Sequence, residues 1–256
     1  MNSFLTELKN RNEMLYWAGW LFIAGAVICV ALIFTSDKQV LGINARYKPV
    51  KFFLSSAILM WTMGWILVYL QEEQKVNVYS WVVILVLAFE LIYIVWQAAK
   101  GELSHFNISS PFKSMMFSLM GIAISIMTAW TGYIAFLIFQ KSFPTLPDAY
   151  VWGIRLGLVL FVIFAFAGGI MAAKLSHNVG GEMTASEGLP ILNWSKQFGD
   201  LRVPHFLGMH ALQILPLIGF YISKTKSSII IIAVVYFILV TASLVQALNG
   251  KPLIKS

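Results

Sequence analysis

Four histidines carry most of the candidate chemistry: His105, His177, His205 and His210. Asn107, Asn178, Glu102, Glu182, Glu187 and Asp200 stand in the same stretches of chain. Imidazole is the commonest protein ligand for transition metals, and paired or single histidines hold haem iron. The densest stretch runs Gly199-Asp200-Leu201-Arg202-Val203-Pro204-His205-Phe206-Leu207-Gly208-Met209-His210-Ala211-Leu212-Gln213. On a helix, Arg202 and His205 share a face, and so do His210 and Gln213. His205 and His210 are five residues apart, about 140° around a helix, so they cannot chelate one ion as an i, i+4 pair would. The pattern is not HExxH, so a metal or haem site here would draw its ligands from separate segments. Asp200 and Glu182 are the carboxylates placed to join such a site. The single cysteine, Cys29, excludes both an intramolecular disulfide and a CxxCH haem attachment.

Two further features stand out. Glu90 is a lone carboxylate in a long apolar run, with Gln97 seven residues on and on the same helix face. Intramembrane carboxylates are costly and mark a bundle interior, a proton path or a cation site; the structural alternative is a protonated Glu bonded to a neighbouring helix. Glu90, Gln97, His210 and Gln213, with Asn107, Asp200 and Arg202 nearer the surface, are expected to form a polar pocket. The second feature is Arg46-Tyr47-Lys48-Pro49-Val50-Lys51-Phe52, where Pro49 fits the first turn of a helix. Arg46, Lys48 and Lys51 are candidate receivers of a phosphate or carboxylate; the structural alternative is snorkelling to lipid headgroups.

These residues must be positioned by membrane helices. Apolar residues make up 59% of the 256-residue chain and charged residues only 11%, more apolar surface than a soluble domain of this length can hide. A span needs about 20 mostly apolar residues. Seven runs qualify, at 14–35, 52–70, 78–99, 115–139, 152–173, 203–222 and 229–248. They are continuously apolar and lack the alternation of a membrane barrel. The expectation is an all-α integral membrane bundle of about seven helices, forming one polytopic domain over residues 1–256.

Loops one, three and five and the C-terminus hold 11 Lys and Arg, and the opposite side holds 7. The positive-inside rule then places the N-terminus outside and the C-terminus, with all four histidines, at the cytoplasmic face. The net charge of +7 suits this topology, and no nucleic-acid motif accompanies it. The expected partners are the lipid bilayer and an unidentified small molecule; nothing sets the oligomeric state.

Lys48-Pro49-Val50-Lys51-Phe52, Ser104-His105-Phe106-Asn107 and the Gly199–Gln213 stretch together resemble a group of bacterial multi-pass membrane proteins of no known activity. The likeness covers most of the chain. It implies a bacterial inner membrane and transfers no catalytic residue. Three functional readings follow. The first is a metal- or haem-binding membrane enzyme or redox protein, with a His-rich polar site at the cytoplasmic mouth. The second is a proton-coupled small-solute transporter using Glu90. The third is a sensor or assembly factor without catalysis. Walker A, GxGxxG and GxSxG motifs are all absent.

Overall fold

The structure, a computed structural model, describes residues 3–181, 188–189 and 191–255. Glu182 and Glu187 lie outside the described residues. The chain is all-α. Its helices are α1 (Phe4–Arg11), α2 (Glu13–Ile33), α3 (Tyr47–Leu67, prolonged by a 3-10 turn at Val68–Leu70), α4 (Glu73–Lys100), α5 (Pro111–Gln140), α6 (Asp148–Ala167), α7 (Gly169–Lys174), α8 (Arg202–Tyr221) and α9 (Lys226–Leu248). Among the described residues, seven segments are long and apolar enough to cross a membrane: α2, α3 with its 3-10 turn, α4, α5, α6 with α7, α8 and α9.

Several helices extend beyond the apolar runs. The sequence predicts the third span from Val78, the fourth from Met115 and the fifth from Trp152. The helices begin at Glu73, Pro111 and Asp148. The additional turns carry Glu73, Lys75, Lys113 and Asp148, charges at which an apolar run read from hydropathy stops. At α5, Ser110 Oγ accepts from the Lys113 N–H at 3.3 Å and Pro111 takes the first position, where its missing N–H costs nothing. The short α1 was not predicted; Ser3 caps it and Asn12 separates it from α2.

The chain divides into two compact units, Met1–Met127 and Thr128–Ser256, with the division inside α5. In the first unit α2, α3 and α4 pack together and α1 lies against α2 and α3. One end is tied by Arg11, which donates to the Trp65 carbonyl at 3.2 Å, and by Asn12 Nδ2, which donates to Ser80 Oγ at 3.0 Å. The other end carries a small antiparallel hairpin, β1 (Gln39–Val40) with β2 (Ile43–Asn44). Asn44 Nδ2 donates to the carbonyls of Ile33 (3.2 Å) and Ser36 (3.0 Å), which anchors the hairpin to the end of α2.

In the second unit α6, α8 and α9 pack on one another. The α6–α8 approach depends on small residues. A Cβ on Gly157 would lie 2.9 Å from the Ala211 carbonyl oxygen, and one on Gly153 would lie 2.5 Å from that of Leu215. Small residues let membrane helices approach backbone to backbone, where dispersion and polar contacts replace the missing hydrophobic drive. A second hairpin, β3 (Asn178–Val179) with β4 (Gly199–Asp200), covers the end of α9. Only 17% of the apolar stretch of α9 is buried within the protein, so its remaining surface needs a hydrocarbon solvent.

Candidate functional site

The first unit brings two of the sequence-selected stretches together. Lys48 sits in the first turn of α3, and His105 in the loop between α4 and α5. Lys48 Nζ and His105 Nδ1 are 3.0 Å apart, and Ser104 Oγ lies 3.2 Å from the same nitrogen. An ammonium only donates, so Nδ1 accepts and Nε2 carries the ring proton. Burial pushes the imidazolium form of His105 well below its usual range, and the Lys48 charge adds to that. The rings of Phe52, Phe106 and Phe117 surround it, with centroids 5.6, 6.2 and 6.3 Å away. Phe106 holds a positive φ of 60°, a backbone conformation uncommon for a bulky residue.

Glu90 lies about ten residues inside α4, roughly 15 Å from its loop-three end at ~1.5 Å per residue. It is 7% exposed. No hydrogen bond or ion pair joins its carboxyl to another side chain among the described residues. The charged group that acts on it is Lys48. Lys48 thus bears on both the buried carboxyl and the loop histidine.

Gln97 and Asn107 hold the loop in shape. Gln97 Nε2 donates to Tyr93 Oη at 3.2 Å and to the Leu103 carbonyl at 3.1 Å. Asn107 Nδ2 donates to the same carbonyl at 2.9 Å, while its Oδ1 accepts from the Ser109 N–H and hydroxyl. Tyr93 was missed by sequence reasoning, whereas Ser104 stands in the Ser104-His105-Phe106-Asn107 stretch that it singled out. Tyr93 was within reach of it, standing four residues before Gln97 on the same face. Arg46 immediately precedes α3 and is 8% exposed. Its Nε is buried without a partner. Lys51 lies in the first turns of α3, half-buried.

The second unit holds the other three histidines, each in its own setting. His205 Nδ1 is 2.7 Å from the Phe164 carbonyl. That oxygen is released because the Gly168 N–H turns to Ala165 instead, at the break between α6 and α7. A carbonyl only accepts, so His205 carries its proton on Nδ1 and presents the Nε2 lone pair. His210 Nδ1 lies 3.2 Å from Gln213 Oε1, on the shared face that the spacing predicts, and its ring lies tilted at 59° against Phe206, with centroids 4.2 Å apart. The His177 carbonyl accepts from the Leu201 N–H.

Asp200 and Arg202 form a two-pronged ion pair, with Nε–Oδ1 at 2.9 Å and Nη2–Oδ2 at 2.6 Å. Arg202 also donates to the Asn193 carbonyl, and Asp200 Oδ2 accepts from the Ser195 N–H. Burial alone would raise the Asp200 carboxyl; Arg202, the Ser195 N–H and the nearby His177 hold it below its usual range. This arrangement fastens the loop that leads into α8.

Among the described residues, no three His, Cys, Asp or Glu side chains gather as a metal-holding group. Of the pocket residues expected from sequence, Glu90 and Gln97 belong to the first unit and His210 and Gln213 to the second. The class these observations define is a multi-pass membrane protein with, among the described residues, seven helical segments long and apolar enough to span a bilayer. Comparison with protein-family models, with curated proteins and with solved structures finds no match to this chain. Its function is therefore argued from these groups alone.

Proposed function

We propose that this chain is a proton-coupled carrier of a small solute in a bacterial inner membrane, with Glu90 as the proton-carrying group. The observation that carries the reading is the carboxyl itself: buried mid-span, without a hydrogen-bonding partner among the described residues, and under the charge of Lys48. A carboxyl left so in hydrocarbon must take a proton, a water or a polar solute, and exchange among these is what proton coupling requires. Lys48 and His105 extend the polar line toward loop three, which the charge count assigns to the cytoplasm. The test is electrical. Protein reconstituted on a solid-supported membrane is given a pH step with small carboxylates, phosphate, amines and sugars in turn. At least one class should drive proton-coupled charge movement that Glu90→Gln reduces more than tenfold. Silence with every class, or an unchanged Glu90→Gln response, would refute the reading.

A second reading, a metal- or haem-binding redox protein, is favoured by His205. Its Nδ1–H to backbone carbonyl bond is the orientation that metal-ligating histidines use, leaving Nε2 as the ligand atom. A Soret band or stoichiometric metal in chelator-free protein, lost in His205→Ala, supports it. Colourless, metal-free protein removes it.

A further inference from the structure

We propose that the start of α3 is a binding site for a phosphate-type oxyanion, with the Arg46 guanidinium as its principal ligand. Arg46 is more than nine-tenths buried, and its guanidinium Nε is buried without a hydrogen-bond partner among the described residues. Its backbone is accounted for: the N–H donates to Asn44 Oδ1 at 3.0 Å and the carbonyl accepts from Val50. The side-chain Nε is the atom left unmatched. A guanidinium stays charged, so an anionic ligand that accepts from the orphaned Nε offsets the cost of its burial.

The helix that follows is built for the same charge. No side chain caps the N-terminus of α3, and its first turn contains no acidic residue. Uncapped N–H groups and the positive end of the helix dipole attract anions. Lys48 and Lys51 add cationic charge within six residues of Arg46. The hairpin β1–β2, pinned to α2 by Asn44, holds Arg46 in this position. The planar fork of arginine matches two phosphate oxygens at once.

The chemistry is shared by two sources: the phosphodiester of an anionic phospholipid and free phosphate. Both suit a residue one step before a membrane span. The proposal does not use Glu90 and stands or falls separately from the carrier reading.

Delipidated full-length protein in mild detergent is titrated with inorganic phosphate, short-chain phosphatidylglycerol and, as a zwitterionic control, short-chain phosphatidylcholine. Binding is followed by native mass spectrometry and by the thermal midpoint. Phosphatidylglycerol, phosphate or both should bind better than phosphatidylcholine, and Arg46→Met should weaken that binding at least tenfold. Phosphatidylglycerol alone identifies a headgroup; competition by phosphate identifies a free-oxyanion site. Arg46→Lys, which keeps the charge but loses the fork, should give an intermediate loss, and it serves if Arg46→Met fails to fold. The proposal is overturned if wild-type protein binds neither anion, or if the folded Arg46 variants bind as tightly as wild type.

Discussion

Lys48 and His105 define each other at the residue scale: a cation 3.0 Å from Nδ1 requires a neutral ring that accepts there. Because the folded-state pKa of His105 is depressed, the unfolded chain takes up the proton first as pH falls. Stability from this group is fully present above the unfolded value of about 6.5 and is lost as pH drops through the lower folded value. The thermal midpoint of wild-type protein in detergent should therefore decline below about pH 6.5, and His105→Gln should decline less steeply. The difference between the two isolates His105, since every other group titrates in both. Parallel curves would show that the ring is not held neutral. Asp200 gives a second prediction. It is 2% exposed and receives both prongs of Arg202, so Asp200→Asn should cost about 2 kcal/mol, read from chemical denaturation. Arg202 keeps partial solvent access, which holds the loss below that of a fully buried pair.

Among the elements, the α6–α8 contact should be the least tolerant of added volume. Gly157→Val would drive side-chain carbon into the Ala211 carbonyl, now 2.9 Å from an added Cβ, and should cost about 1–3 kcal/mol. Gly121→Ala on α5 is the control, because nothing lies within 4 Å of its added Cβ. It should leave the thermal midpoint unchanged or slightly higher. The spans themselves were legible in the sequence, since seven uninterrupted apolar runs have one physical solution in a bilayer. Their polar first turns were not, and neither were the strand pairs of 39–40 with 43–44 and 178–179 with 199–200. Two-residue strands have no periodicity to read. The local pair His210–Gln213 was legible from helix spacing; Lys48–His105 was not, because 57 residues separate the partners and only packing brings them together. The gathering of histidines on one side suggested shared ligation, but sidedness fixes depth in the membrane and not mutual distance.

For the whole molecule, alternation of the spans and the excess of Lys and Arg set the orientation we propose. In the first unit, loops one and three meet at one end through Lys48 and His105, while Arg11 and Asn12 tie the other. In the second, Gly180 lies against Gly250, which brings loop five to the C-terminal end. With Cys29→Ser as background, a cysteine at Ser109 should resist an impermeant thiol reagent in intact cells, and one at Ser142 should react. The opposite pattern would invert the topology. The central claim is that Glu90 holds an exchangeable proton within the membrane, and infrared titration of lipid-reconstituted protein tests it most directly. Wild-type protein should show a protonated-carboxyl band that disappears reversibly as pH is raised and is missing from Glu90→Gln. The same band in Glu90→Gln, or a wild-type spectrum without any pH-responsive carboxyl, would contradict the account.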